Sequence, residues 1–225
     1  MKILIVEDEI ELLKEIEVFL SKEGYICEVS KNFNEASEKL HMYHYDVAVI
    51  DITLPDGSGL SLIQWLKQKN IDTGILIISA KNSLDDKLYG LDLGADDYIT
   101  KPFYLAELNA RVKAIARRRM FKGSVEIIHN EIRINPENKS VSINDNALSL
   151  TKKEYELLFF FVANKKRLLT KESIAEHLWG DNIDLADNYD FIYTHINNLR
   201  KKILNAGGTD YLHTVYGMGY KYLEE

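Results

Sequence analysis

Five short apolar runs are spaced through the first 118 residues, at about 2–6, 25–29, 46–50, 74–79 and 96–99, and each is followed by a stretch with helical spacing. Leu12, Leu13, Ile16 and Leu20 fall on one helical face, as do Leu105, Leu108, Val112 and Ile115. Strands that alternate with helices in this way build βαβ units around a parallel sheet with helices on both faces. Gly24 and Gly94 sit where helix C-caps are due, and Pro55-Asp56-Gly57 reads as a tight loop after the third strand.

Polar marks follow the apolar runs. Glu7 and Asp8 come after the first, Asp51 after the third, Ser79 ends the fourth, and Lys101 follows the fifth and precedes Pro102. In a parallel sheet all of these emerge at one carboxyl edge, where open α/β sheets bind ligands. Singly, each is a solvated loop, turn or helix-start residue; five at one register of successive βα units form a pocket. Crowded carboxylates repel one another and call for a divalent cation, and few, hard oxygen ligands suit Mg²⁺. A lysine beside them holds an anion. Such a pocket suits moving a phosphoryl group onto one of its own aspartates.

The second half has a different texture. After Arg117-Arg118-Arg119, whose charges complement a helix C-terminus, residues 119–124 read as a linker. Residues 125–150 break into short strand-like pieces separated by Asn, Pro and Asp, a small antiparallel meander. Thr151 with Glu154 has capping-box spacing. Helices are expected at about 151–163, 170–178 and 188–205, and the alternation around Gly217 and Gly219 predicts a terminal hairpin.

Composition excludes some classes. The net charge of −7 divides into −5 for residues 1–120 (15 Lys/Arg against 20 Asp/Glu) and −2 for residues 121–225 (13 against 15), so nucleic-acid binding must rest on a local patch. The longest clear apolar run, Leu157–Ala163, is far short of the ~20 residues of a membrane helix. Cys27 is the only cysteine, which rules out an internal disulfide and points to the cytoplasm.

Residues 1–118 closely resemble the receiver domain of two-component response regulators. The segments that carry the resemblance are Ile5-Val6-Glu7-Asp8-Glu9, Asp51-Ile52-Thr53-Leu54-Pro55-Asp56-Gly57 and Gly94-Ala95-Asp96-Asp97-Tyr98-Ile99-Thr100-Lys101-Pro102-Phe103. The resemblance implies a doubly wound, five-stranded parallel sheet of the flavodoxin/CheY type. It implies that Asp51 is the phosphoacceptor for a sensor histidine kinase, and that Glu7, Asp8, Asp51 and the Thr53 carbonyl organise Mg²⁺. Ser79 and Lys101 would contact the phosphoryl oxygens, and Tyr98 would be the aromatic switch that turns inward as Ser79 moves toward them. A phosphatase of the haloacid dehalogenase type also phosphorylates an aspartate after a strand, but it needs an acid two residues on, and Thr53 stands there.

Residues 125–225 resemble the α+β winged helix-turn-helix effector of the OmpR/PhoB family. The matching segments are Leu150 to Leu158, Leu178-Trp179-Gly180, His195 to Ile203 and Val215-Tyr216-Gly217-Met218-Gly219-Tyr220. The resemblance implies a helix near 188–205 in the major groove of promoter DNA. Tyr189, Tyr193, Thr194, Asn197 and Asn198 are its candidate readers, with Arg200, Lys201, Lys202 and Lys221 on phosphates. The loop from Gly180 to Asp187 would face RNA polymerase. The chain departs from the family here: Asp190, Tyr193 and Asn198 occupy recognition-helix positions where arginine or other polar residues are usual. His213 and Tyr216 stand where arginines are common near the wing. Fewer cations release fewer counterions, so the monomer is expected to bind weakly and to rely on dimerisation.

The resemblance also implies a two-fold homodimer on phosphorylation, with Lys87 paired to Glu107, Asp97 to Arg111 and Asp96 to Arg118. Ion pairs on the surface of a single chain are the plainer reading of the same residues. The expectation is a cytoplasmic, non-membrane, phosphorylation-dependent transcription regulator rather than an enzyme. A phosphorylation-independent DNA-binding or scaffold protein, or a protein-interaction module in the second half, are the competing classes.

Overall fold

The computed structural model describes residues 1–81, 83–121, 126–136, 138–180, 183 and 189–223, without the side chains of residues 120 and 121. The chain divides into two compact units, Met1–Arg119 and Met120–Glu225.

The first unit runs β1 (Lys2–Val6), α1 (Ile10–Lys22), β2 (Ile26–Ser30), α2 (Phe33–Met42), β3 (Val47–Asp51), β4 (Thr53–Leu54), β5 (Gly57–Ser58), α3 (Gly59–Gln68), β6 (Gly74–Ser79), α4 (Leu84–Asp92), β7 (Asp97–Thr100) and α5 (Leu105–Phe121). The five long strands form one parallel sheet in the order β2-β1-β3-β6-β7. β1, β3 and β6 are buried along their whole length, because helices cover both faces, which explains why they are continuous apolar runs without alternation. α1 buries Leu13, Ile16 and Leu20, and α5 buries Leu108, Val112 and Ile115. Each such side chain contributes roughly 1.5–3 kcal/mol of burial free energy. Gly94 follows α4 at φ +106°, with Lys67 where a Cβ would stand.

The chain order reverses at β1 and β3, which are adjacent. Their carboxyl ends therefore flank the crevice at which doubly wound sheets bind ligands. The structure differs from the sequence expectation at the end of α5. Residues 119–121, expected in the linker, are helical. Arg119 holds that last turn down: its guanidinium bonds Asp96 at 3.0 Å and Asp72 at 2.8 Å. The rest of the expected linker, residues 122–124, lies outside the described residues.

The second unit continues with β8 (Ile127–His129), β9 (Ile132–Asn135), β10 (Ser140–Ile143), β11 (Asn146–Ala147), α6 (Lys152–Ala163), β12 (Leu168–Leu169), α7 (Lys171–Trp179), α8 (Asp190–Asn205), β13 (Leu212–Val215) and β14 (Gly219–Tyr222). β8 to β11 form the antiparallel meander, and β13 and β14 the terminal hairpin. The two-residue strand β12, which has no sequence signature, pairs with β14 and turns the hairpin into a three-stranded sheet. Gly219 is required there: a Cβ would lie 2.1 Å from the Leu169 carbonyl oxygen. α6 begins with the capping box of Thr151 and Glu154. Its apolar residues meet Ile174 and Leu178 of α7 and Ile192, Ile196, Leu199 and Ile203 of α8 in one core.

Candidate functional site

At the carboxyl edge of the parallel sheet, Glu7 follows β1, Asp51 ends β3 and Lys101 follows β7. The Lys101 ammonium donates to Asp51 Oδ2 at 2.6 Å and to Glu7 Oε1 at 2.8 Å. Asp51 Oδ1 accepts the backbone N–H of Thr53 at 2.9 Å, so both oxygens of this carboxylate are held. Glu7, Asp8 and Asp51 each offer an oxygen within 4.8 Å of the others. Glu7 and Asp51 are buried and Asp8 is exposed.

The electrostatics are unbalanced. Three carboxylates against one ammonium leave a formal −2 in a largely buried pocket. Burial raises the Glu7 carboxyl above its ordinary range, with Asp51 adding repulsion and Lys101 only partly opposing it. Burial alone would push the Lys101 ammonium down, yet its bonds to Asp51 and Glu7 outweigh that and hold it above its usual value. Glu7 Oε2 is buried and outside hydrogen-bond geometry, although the ammonium is 2.7 Å away. A buried carboxylate oxygen left in this way, beside two more carboxylates, fits a divalent cation with oxygen ligands.

Ser79 is fully buried at the end of β6, and its Oγ accepts the N–H of Lys81 at 3.1 Å. Tyr98 lies inward, 8% exposed, and its hydroxyl donates to the Lys81 carbonyl at 2.8 Å. The turn after Ser79 thus ties it to the aromatic ring through one residue, Lys81. The inward turn of Tyr98, expected to follow a movement of Ser79, is already present in this conformation.

The ion-pair residues of β7 and α5 meet within one chain. Arg111 bonds both oxygens of Asp97, at 3.0 and 2.9 Å, and also Glu107 at 2.8 Å. Arg118 donates to the backbone carbonyl of Asp96, whose carboxylate takes Arg119 and the N–H of Ile75. Lys87, expected opposite Glu107, is half-buried on α4. Arg111 and Arg119 thus already hold acidic partners within the chain, which compete with those of any second copy.

In the second unit, α8 turns Ile192, Ile196, Leu199 and Ile203 inward, leaving Tyr193, Thr194, Asn198 and Lys201 exposed and Asn197 at the margin. Tyr189, at the N-cap, packs half-buried beside Phe191. Two cations expected on phosphates are engaged inside the domain. Arg200 pairs with Asp210 at 3.2 Å and donates to the Leu212 carbonyl and Thr214 Oγ1, fastening α8 to β13. Lys202 donates to Glu154 at 2.7 Å and to the Ser149 carbonyl at 3.1 Å. The sequence reading missed this because their partners lie 10 and 48 residues away. Lys221 is half-buried on β14, between the buried Tyr220 and Tyr222. Of the Gly180–Asp187 loop only Gly180 and Ile183 fall within the described residues. Among the described residues no helix is long and apolar enough to cross a membrane.

Comparison with known proteins gives the same division. Residues 3–113 match the family described as response regulator receiver domain, and residues 145–222 the family described as transcriptional regulatory protein, C terminal. The response regulator ArlR of Staphylococcus haemolyticus is 38% identical over 218 residues, covering 97% of each chain. ArlR of Staphylococcus aureus is 37% identical over 219 residues, 97% of this chain and 98% of that one. The receiver domain of the Francisella response regulator 1452 is 36% identical with a TM-score of 0.51, covering 52% of this chain and 97% of the other. An acidic, lysine-bridged crevice at the sheet switch point, followed by a winged helix-turn-helix unit and matched end to end by such relatives, places the chain in the OmpR/PhoB-type family of two-component response regulators, DNA-binding regulators of transcription.

Proposed function

We propose that Asp51 is the phosphoacceptor, taking a phosphoryl group from a sensor histidine kinase with Mg²⁺ held by Glu7, Asp8, Asp51 and the Thr53 carbonyl. The observation that carries this is the convergence of three carboxylates within 4.8 Å of one another, with Lys101 on Asp51 at 2.6 Å. When bound, the cation would neutralise the carboxylates and polarise the incoming phosphoryl oxygens. The chain's own residues do the rest. Lys101 and the Thr53 amide fix the Asp51 carboxylate, and burial excludes competing water. An Asp51 oxygen forms the new P–O bond as the P–N bond to the kinase's imidazole breaks, and the imidazole keeps the electron pair. Lys101 then turns its ammonium to the phosphoryl oxygens, and the Ser79 hydroxyl donates to another. Because Ser79 and Tyr98 share Lys81 as a partner, a shift of Ser79 is relayed to that ring and so to the β7 surface.

The output is binding of double-stranded promoter DNA by the exposed side of α8. Tyr193, Thr194, Asn197 and Asn198 read bases, with Tyr189 at the helix start, and Lys201 and Lys221 meet phosphates. Arg200 and Lys202 instead hold α8 in place. Phosphorylation favours a homodimer through α4, β7 and α5, using Lys87, Asp96, Asp97, Glu107, Arg111 and Arg118. Part of that dimer's ion pairing is exchange of the intrachain pairs for equivalent pairs in trans, which leaves its net electrostatic gain small. RNA polymerase is the proposed partner of the loop after α7.

The test is phosphoryl labelling with Mg²⁺ and a phosphorylated kinase. The wild type is labelled, and Asp51→Asn, which keeps the fold, is not. Labelling of Asp51→Asn at the wild-type level would remove the assignment. Sedimentation with and without beryllofluoride and Mg²⁺ tests the dimer, and equal mass in both would count against it.

A further inference from the structure

The Thr53 amide that holds Asp51 belongs to a very small structure. β4 and β5 form a hairpin with two residue pairs, Thr53 with Ser58 and Leu54 with Gly57. An isolated hairpin of this length is not stable in water, so something outside it must hold it. At its root the Gly59 N–H bonds the Ile52 carbonyl at 2.9 Å, and next to the tip Leu54 is buried.

Its tip is held by α2. The Asp56 carboxylate accepts the Phe33 N–H at 2.6 Å and the Asn34 N–H at 3.0 Å. Asn32, the N-cap, accepts the Glu35 N–H, so the first three amides of α2 are all satisfied by side chains, two of them from the hairpin. The carboxylate lies at the positive end of the helix dipole. Gly57 is pressed against Phe33, where a Cβ would lie 2.7 Å from Cγ of the ring. Desolvation works the other way, yet the hydrogen bonds from the Asn34 and Phe33 amides and from its own amide together hold the Asp56 carboxyl below its ordinary range.

We infer that Asp56 is a positioning residue for phosphoryl transfer: by latching the β4–β5 tip to the N-terminus of α2, it keeps the Thr53 amide on the Asp51 carboxylate. This rests on Asp51 being the phosphoacceptor. The line of force is short: α2 amides, Asp56, the two-pair hairpin, Thr53, Asp51. Asp56 is exposed and touches no reacting atom, so its removal costs the fold little. A loosened tip instead lets Thr53 drift, and misplacement of about 1 Å in a phosphoryl-transfer site costs up to ~10²-fold in rate.

The experiment uses the full chain with Mg²⁺ and phosphoramidate as a small phosphodonor, so that kinase docking plays no part. Asp56→Ala is expected to be labelled on the order of tenfold more slowly at saturating donor, with the fold retained and the melting temperature lowered by no more than the loss of a helix cap. Asp56→Asn, which keeps an acceptor oxygen, retains most of the rate. Gly57→Ala keeps Asp56 but drives the tip off Phe33, and slows labelling in the same way. Amide hydrogen exchange at Thr53 is faster in Asp56→Ala and Gly57→Ala than in the wild type. Wild-type rates of labelling and of Thr53 exchange in both variants would overturn the latch and leave the phosphoacceptor assignment standing. If the wild type itself were not labelled, the role of Asp51 would fall, and the exchange rate at Thr53 would still decide the latch.

Discussion

Each half of the chain contains a buried glutamate bonded to a lysine, and the two have opposite characters. Glu7 meets Lys101 at 2.8 Å in the acidic pocket, and Glu154 meets Lys202 at 2.7 Å at the start of α6. Burial raises the Glu7 carboxyl. It acts on Glu154 in the same direction, but there Lys202 and the Thr151 hydrogen bonds outweigh it and the carboxyl is held below its usual range. The difference is competition. Lys101 is shared with Asp51, and Asp8 adds a third carboxylate, whereas Lys202 serves Glu154 and a neutral carbonyl. A satisfied pair holds a fold together; a pocket with more anions than its lysine can neutralise is arranged to take a cation.

The largest effect that separates the two is metal binding. Mg²⁺ at about a hundred times its dissociation constant should stabilise the receiver unit by about 2.7 kcal/mol. Calorimetry should show the first unit's transition rising with Mg²⁺ and the second unmoved. Glu7→Gln takes the buried carboxylate out of the acidic cluster and should abolish that rise. Because the charged form of Glu7 is disfavoured in the fold, the same substitution should raise the metal-free melting temperature, as expected where stability is given up for function. A lower metal-free melting temperature for Glu7→Gln would break the comparison.

Lys202→Ala acts in the other direction. It leaves Glu154 buried without its ammonium and should cost the second unit about 1–3 kcal/mol, read by denaturant titration at Trp179. The figure is held down by Lys202 being 37% exposed. The pH dependence follows in sign. A carboxyl depressed in the fold adds stability that is full above its unfolded pKa, about 4.3, and is lost as pH falls through its lower folded value. The advantage of wild type over Glu154→Gln should therefore be constant from neutral pH to about pH 5 and shrink in stronger acid, as followed by melting temperature.

How much of this was legible in the sequence depends on range. The pocket was readable because Glu7, Asp51, Ser79 and Lys101 each end an apolar run, and a parallel sheet has one carboxyl edge. The capping box was readable because Thr151 and Glu154 lie three residues apart. The partners of Arg200 and Lys202 were not, since a cation near a helix end looks the same whether it faces solvent or a carboxylate 48 residues upstream. β12 escaped notice because two residues carry no period. The Asp56 latch escaped it too: Pro55-Asp56-Gly57 announces a turn, but nothing in it names α2 as the place where the carboxylate lands.

The same contrast between satisfied and unsatisfied charge makes the smallest and most discriminating prediction. On α8, Arg200 and Lys202 have carboxylate partners within the domain, while Lys201 between them is exposed. A cation already paired inside the protein does not need phosphate and releases no counterion; a solvated one does. Lys201→Ala should therefore weaken DNA binding modestly and uniformly across sequences, and flatten the slope of log affinity against log salt by about 1. Arg200→Ala should leave that slope unchanged and instead lower the melting temperature of the second unit, because it frees β13 from α8. Fluorescence anisotropy with one duplex at several salt concentrations reads the slopes. If the two substitutions exchanged these signatures, Arg200 would be the phosphate contact and its pairing with Asp210 would yield to DNA.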